Sequence, residues 1–418
     1  MNEYSTTASS TSETARNILP LSGIRVLEIS SIIAAPMAAR ILGDFGAEVI
    51  KVEVPPYGDE LRRWGTMIPL STGRLSAWWL SMARNKRLIT LNLRVPAGQA
   101  LALKLIEQSD IVIENFRPGR LEAWNLGYEC MREVNPGVIL VRISGYGQTG
   151  PYRERAGYGN IGESMGGLRY ITGYPDRPPV RIGVSLGDEI AATQAALGAV
   201  LALQARQRTG QGQVVDVAIT EAVFAMTEGM LTEYAHAGVI RERTGNVLKQ
   251  TAPSNIYRSR DERWLAIGGN GDNVFRRLTQ CIGHPEIYDD PRFSDNQGRI
   301  AHNQELDDII GAWTAQYTLD EAQALLIEAG IPAGPVMNIA DIAADPQYQA
   351  RDMIVHVPDA RMPDQEAILP GIIPHLTGTP GRIEHCGGEM GQDNHEIYHD
   401  MLGLDAAEIE RLKAEGII

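Results

Sequence analysis

Cysteine is scarce in this chain: three in 418 residues, Cys130, Cys281 and Cys386, with no CxxC spacing. That excludes a disulfide framework and a cysteine zinc site, and it fits a reducing, cytoplasmic setting. Positive charge is also short, with 38 Lys and Arg against 52 Asp and Glu and a net charge of -14. A chain of that sign is not built for non-specific nucleic-acid or anionic-membrane binding, so an anionic ligand must meet a local basic patch. The most apolar stretch, residues 190–205, contains Thr193 and Gln194; it is too short to span a bilayer and reads as a buried helix. No repeat of solenoid period is present. Residues 1–17 are Ser/Thr-rich with one arginine and no apolar centre, so they read as a disordered tail and not as a secretory signal. What remains, 44% hydrophobic and 22% charged, is globular material sufficient for two domains.

From Ile24 the pattern runs strand, helix, strand: IRVLEIS, the alanine-rich APMAARILGDFG, then AEVIKVE. Two β-branched runs around a helix make a βαβ unit and so a parallel sheet. LITLNL, the helix PAGQALALKLIEQS, DIVIEN and GVILVRIS continue the alternation. The fold class is therefore α/β, with a Rossmann-like parallel-sheet large domain. After an irregular Gly/Tyr/Arg-rich stretch, a helix is expected over 188–208, a strand at VVDVAI and one long helix over 221–237. The pattern predicts a large Rossmann-like domain over 18–225, a connecting helix at 226–237, a smaller α+β domain over 238–336 and a return segment, 337–418, completing the large domain.

Several motifs carry possible chemistry. GYGQTG, residues 145–150, satisfies GxGxxG after a strand, but Pro151 and YRERAGYG follow where dinucleotide binding needs a helix to open. A nicotinamide-dependent oxidoreductase would require a helix beginning at Gly147. HEIYH, residues 395–399, fits the zinc-protease HExxH, yet no third ligand accompanies it, so a solvated helix face is expected and no metal site is assigned. Arg84, Lys86, Arg87 and Arg94 form a basic run that either neutralises phosphates or is a solvated positive surface. Asn115, Phe116 and Arg117 close a strand, where ligands collect in open α/β sheets. Asp188 follows Gly187 at the start of the apolar helix. Ser185 and Asp188 have capping-box spacing, which alone explains an acid there; a carboxylate at a helix start can also be a nucleophile.

Together, GIRVLEIS with Ala35 and Pro36, LGDFGAEVIKVE, NKRLITLNL, ENFRPG, NPGVILVRISGYGQTGPY, PPVRIGVSLGD and RTGQGQVVDVAI resemble the class III CoA-transferases, the family of formyl-CoA and carnitine CoA-transferases, over nearly the whole chain after the tail. The resemblance implies that Asp188 is the catalytic nucleophile. It would attack an acyl-CoA thioester to give a mixed anhydride, then an aspartyl-CoA thioester. It also implies CoA contacts at Ile33, Ala34, Arg94, Asn115, Phe116, Arg117 and Tyr146, and an interlocked homodimer. No permanently bound cofactor is implied, CoA thioesters being substrates. Glycine-rich GGLRY and GGNG are candidate covers against water. Ala123 and Val54 stand where relatives carry basic residues, a gap that Arg117 or Arg120 would fill.

The same fold serves α-methylacyl-CoA racemases, which use a His/Asp pair. Here Tyr158 and Gly159 occupy those positions, and a tyrosine, with its pKa near 10, is a poor base at neutral pH. RAGYGNIGESMGGLRYITG, EYAHAGVIRERTG and TAPSNIY are most similar to the branch using succinyl-CoA and dicarboxylic acceptors. Arg169, Arg181, Arg241 and Arg243 are the candidates for holding a distal carboxylate.

Overall fold

A computed structural model describes residues 18–70 and 73–418; the expected N-terminal tail lies outside them. The chain divides into two compact units. One takes in the chain up to Leu168, then Ile182–Thr232 and Gln349–Ile418; the other takes in Arg169–Arg181 and Glu233–Tyr348.

The first unit is built on six parallel strands: β1 (Arg25–Ile29), β2 (Glu48–Glu53), β3 (Lys86–Thr90), β4 (Ile111–Glu114), β5 (Ile139–Ser144) and β6 (Val214–Ala218). Their spatial order is β3-β2-β1-β4-β5-β6, all neighbours parallel. This is the order of the doubly wound dinucleotide-binding sheet. Every residue of β4 and β5 is buried, because helices cover both faces; this is why these strands read as continuous apolar runs and not as alternation.

On one face lie α1 (Ala34–Asp44) and, later in the chain, a 24-residue helix that starts at Leu186. They pack through alanines, among them Ala35, Ala38 and Ala39 against Ala191, Ala195 and Ala199, and small side chains let the two axes approach closely. On the other face lies α2 (Pro96–Glu107), with the last helix, Ala406–Ala414, and the buried Ile417 and Ile418 in the same core. Further along come α3 (Gly159–Met165), α4 (the long helix, Leu186–Thr209), α5 (Ile219–Phe224) and α6 (Met230–Ala237). The apolar helix is thus longer than expected; by length and composition it could cross a membrane, but 44% of its apolar window is buried inside the fold. The single helix expected over 221–237 is two, parted where Glu228 adopts a φ of 52° ahead of Gly229.

The second unit has a three-stranded antiparallel sheet of β7 (Ser254–Arg258), β8 (Trp264–Gly268) and β9 (Ala333–Pro335), with β8 central. Helices α7 (Asp272–Cys281), α8 (Asn303–Thr314) and α9 (Leu319–Glu328) close its core around Tyr257, Leu265, Trp313 and Leu326. A complete capping box, Thr318 with Glu321, opens α9.

Candidate active site

Where strand order reverses, between β1 and β4, connections leave the sheet in opposite directions and open a crevice beyond the strand ends. Two loops line it. After β1 comes Ser30–Ile33; after β4 comes Asn115–Arg117. Asn115 ties them together, accepting from the Ser31 N–H at 3.2 Å and donating to the Ser31 carbonyl at 2.8 Å. Next to Ser31, Ile32 sits at a φ of 74°. A β-branched residue pays roughly 1–2 kcal/mol to be left-handed, so surrounding contacts must hold it there.

Asp188 forms the facing wall, half-buried in the first turn of α4. The expected Ser185 cap is not formed: Ser185 stands at the N-cap but makes no side-chain bond. Glu163 of α3, 2% exposed, instead accepts the Gly187 N–H at 3.3 Å. Space here is set by glycine. A β-carbon on Gly159 would run into Asp188 Oδ2 and lie 2.7 Å from its Cγ, and one on Gly187 would lie 2.8 Å from the Gly159 carbonyl. Tyr158 and Gly159 therefore present no His/Asp pair; the second position is where α3 passes under the carboxylate.

Asp188 lines a cavity of about 290 Å³ that also receives Ile33, Ala34, Asn115, Phe116 and Arg117, five of the seven expected CoA-contacting residues. Arg94 lines a neighbouring cavity of about 470 Å³ with Val54, Tyr57, Arg63 and Trp124. Ser31, Glu60 and Phe116 belong to both cavities, so the two are adjacent. Phe116 is set edge-on against Trp124, centroids 5.1 Å apart, and its N–H donates to Glu114 at 2.7 Å. Burial pushes the Glu114 carboxyl up to about 7, although Arg142 lies 2.7 Å away. Tyr146 lines neither cavity; it packs edge-on to Tyr152, with ring centroids 5.9 Å apart.

Sequence reasoning missed Arg153 and Arg155, which line the Asp188 cavity, and Arg63 in the second. The first pair had a visible signal in YRERAG. Gly145 and Gly157 bring that segment back, since a β-carbon on Gly157 would lie 2.8 Å from the Gly145 Cα. Arg155 stacks on Tyr152, 3.6 Å from the ring centroid. Arg120, which was to fill the gap at Ala123, stacks over Trp124 at 5.6 Å.

Other expectations need correcting. Arg84 and Lys86 are neither a phosphate grip nor a solvated surface, and Arg87 is only partly exposed. The third strand begins at Lys86, two residues before the expected LITLNL, which carries the run into the core. Arg84 is 2% exposed and paired with Asp44 at 2.6 Å, Lys86 is fully buried on Glu28 at 2.6 Å, and Arg87 bridges Glu48 and Glu396. No helix opens at Gly147; α3 starts only at Gly159, so the condition for a nicotinamide site is not met. HEIYH forms a π-helical turn on which His395 and His399 stack 4.9 Å apart beside Asp400, all exposed. Its Glu396 pairs with Arg87 at 2.6 Å. Of the arginines expected to hold a distal carboxylate, Arg241 pairs with Glu233, and Arg243 donates to the Tyr170 carbonyl at 2.8 Å.

Residues 21–394 match CoA-transferase family III. A succinyl-CoA–D-citramalate CoA-transferase of Chloroflexus aurantiacus is 51% identical over 96% of this chain and 98% of its own length. The alpha subunit of a succinyl-CoA–L-malate CoA-transferase from the same organism is 40% identical over 98% of this chain and 95% of its length. Among solved structures, a CAIB/BAIF family protein from Brucella suis superposes with a TM-score of 0.83 at 33% identity, over 92% of this chain and all of the other.

Proposed function

The chain belongs to CoA-transferase family III, and from that premise we propose that it moves CoA from succinyl-CoA to a dicarboxylic acid, with Asp188 as the covalent carrier. The observation that carries this reading is the placement of Asp188 in a pair of adjacent cavities lined by Arg117, Arg153, Arg155, Arg63 and Arg94. A nucleoside phosphate needs such cations and a thioester needs a nucleophile; in a chain of net charge -14, these five arginines outnumber the four carboxylates, Glu53, Asp59, Glu60 and Asp188, that line the same cavities. Relatives named for succinyl-CoA with citramalate, malate or glutarate support the substrate class.

In this mechanism an Asp188 oxygen attacks the thioester carbonyl, and the carbon–sulfur bond breaks to release CoA thiolate and leave a mixed anhydride. The thiolate then attacks the Asp188 acyl carbon, forming an aspartyl-CoA thioester and expelling succinate. The acceptor carboxylate attacks that thioester, thiolate leaves again, and its attack on the acceptor's acyl carbon yields the new CoA ester and restores Asp188. No proton need be abstracted from carbon. The first-turn N–H groups of α4 lie at the same helix end and favour the anionic intermediates.

We also take the protein to be a cytoplasmic homodimer. Leu197, Val200 and Leu201 expose an apolar stripe on α4, which a second copy would cover, and the three free thiols suit a reducing compartment.

Incubation with succinyl-CoA and a panel of dicarboxylates should give new thioesters by mass spectrometry. Hydroxylamine added during turnover should convert Asp188 to a hydroxamate, found by peptide mapping. Asp188→Ala should lower exchange on the order of 10⁴-fold while still binding CoA. Exchange surviving in that variant sinks the carrier role.

A further inference from the structure

Beneath the Ser30–Ile33 loop lies a layer of buried charge, of which Glu53 and Asp59 also border the larger cavity. Lys51, 1% exposed, sends its ammonium to Glu28 at 2.7 Å, to Asp59 at 2.8 Å and to the Ser30 carbonyl at 3.1 Å. Asp59, 3% exposed, accepts the Ile32 N–H at 3.2 Å and the Leu61 N–H at 2.9 Å. Its own N–H donates to Glu53 at 2.8 Å, and Glu53 is clamped by Arg62 at 2.6 Å. The contacts thus converge on the one residue of this loop whose backbone is left-handed, Ile32. Ile32 and Ser31 line the Asp188 cavity, and Ser31 lines the second cavity as well.

Resting on the reading above that these cavities take a CoA thioester, we infer that Asp59, fixed by Lys51, is a positioning residue that holds Ile32 in its unfavourable backbone conformation and so shapes the floor over which CoA passes. The Ile32 side chain packs against the cluster around Ile33, Leu61 and Trp79, and Asp59 adds the one fixed partner for its N–H. An ion pair supplies a partner that does not swing away, since Lys51 anchors one carboxylate oxygen while the other faces the loop.

The test is whether glycine at position 32, which takes a left-handed φ without strain, removes the need for Asp59. CoA affinity is read by titration calorimetry on the full chain, without turnover. Asp59→Ala should weaken CoA binding about 30-fold, and adding Ile32→Gly to that variant should recover at least tenfold. Asp59→Asn, which keeps an acceptor for the Ile32 N–H, should lose less than about fivefold. A merely structural role predicts the opposite for the double variant, because glycine adds chain entropy and loosens the fold further. Equal affinities in the single and double variants, or undiminished affinity in Asp59→Ala, overturn the inference. An exchange assay run in parallel separates the two ideas: rescued CoA binding in an enzyme that transfers nothing would count against the transferase reading alone.

Discussion

The two walls of the cleft are built by different physics. The Ser30–Ile33 wall is held by charge: Glu28, Lys51, Lys86 and Asp59 are all buried and mutually paired. Burial tends to raise the Glu28 carboxyl, but Lys51 and Lys86 outweigh it and hold it down at about 2. Burial draws Lys86 down to about 8, against the pull of Glu28. The Asp188 wall is held by close approach: Gly159, Gly187 and, further along, Gly145 and Gly157 leave no room for a β-carbon. A charged wall fixes a loop whose own backbone resists its shape. A glycine wall fixes where the Asp188 carboxylate stands. The first should fail by losing a partner and the second by gaining an atom.

The largest effect expected from breaking this contrast is Gly159→Ala. One methyl group displaces the Asp188 carboxylate, so kcat should fall about 10³-fold with CoA affinity within a few-fold, read by steady-state kinetics and calorimetry. Next, Glu28→Gln leaves two buried ammonium groups short of a partner and should cost about 3 kcal/mol in urea denaturation at pH 7. Because Glu28 is held down at about 2 in the fold, its contribution is present above the ordinary carboxylate pKa and disappears as pH falls from about 4.5 towards 2. Unfolding midpoints of the parent and the variant should therefore converge over that window; midpoints that stay parallel would mean that the pair is not charged as described. Arg94→Ala should raise KM for the CoA ester about tenfold, with a shallower salt dependence and kcat little changed. Smallest is Ser185→Ala: with Glu163 covering the helix end, the unfolding free energy in urea should change by less than about 0.5 kcal/mol, whereas a working serine cap would cost about 1 kcal/mol.

Much of the architecture was legible in the chain because local pattern sufficed. β-branched runs predicted all six strands of the large sheet, and the alanine-rich segment predicted α1. Strand order was not legible, since it depends on pairing between residues as distant as Leu140 and Val214. The basic run was misread for a related reason: the acids that absorb Arg84 and Lys86 are Asp44 and Glu28, far back in the chain, and nothing local marks them as partners. Ser185 and Asp188 had capping spacing, yet the Glu163 carboxylate, brought in by α3, took the amide first. Asp188 itself stood out by resemblance to a family and not by local physics, because an acid in a first turn is commonplace. Arg153 and Arg155 were visible as a polar run, but only the return of the chain at Gly157 puts them in the cleft.

Phe116 borders both chambers of the cleft, and it leans on Trp124, which lines only the larger one. A molecule that occupied both chambers would meet the residues they share, Ser31, Glu60 and this ring. A fluorine label there would register an arrival at either end through a single resonance. Small fragments from the nucleotide side and from the acid side could then be ranked in one titration and joined across the same ring into a bisubstrate inhibitor.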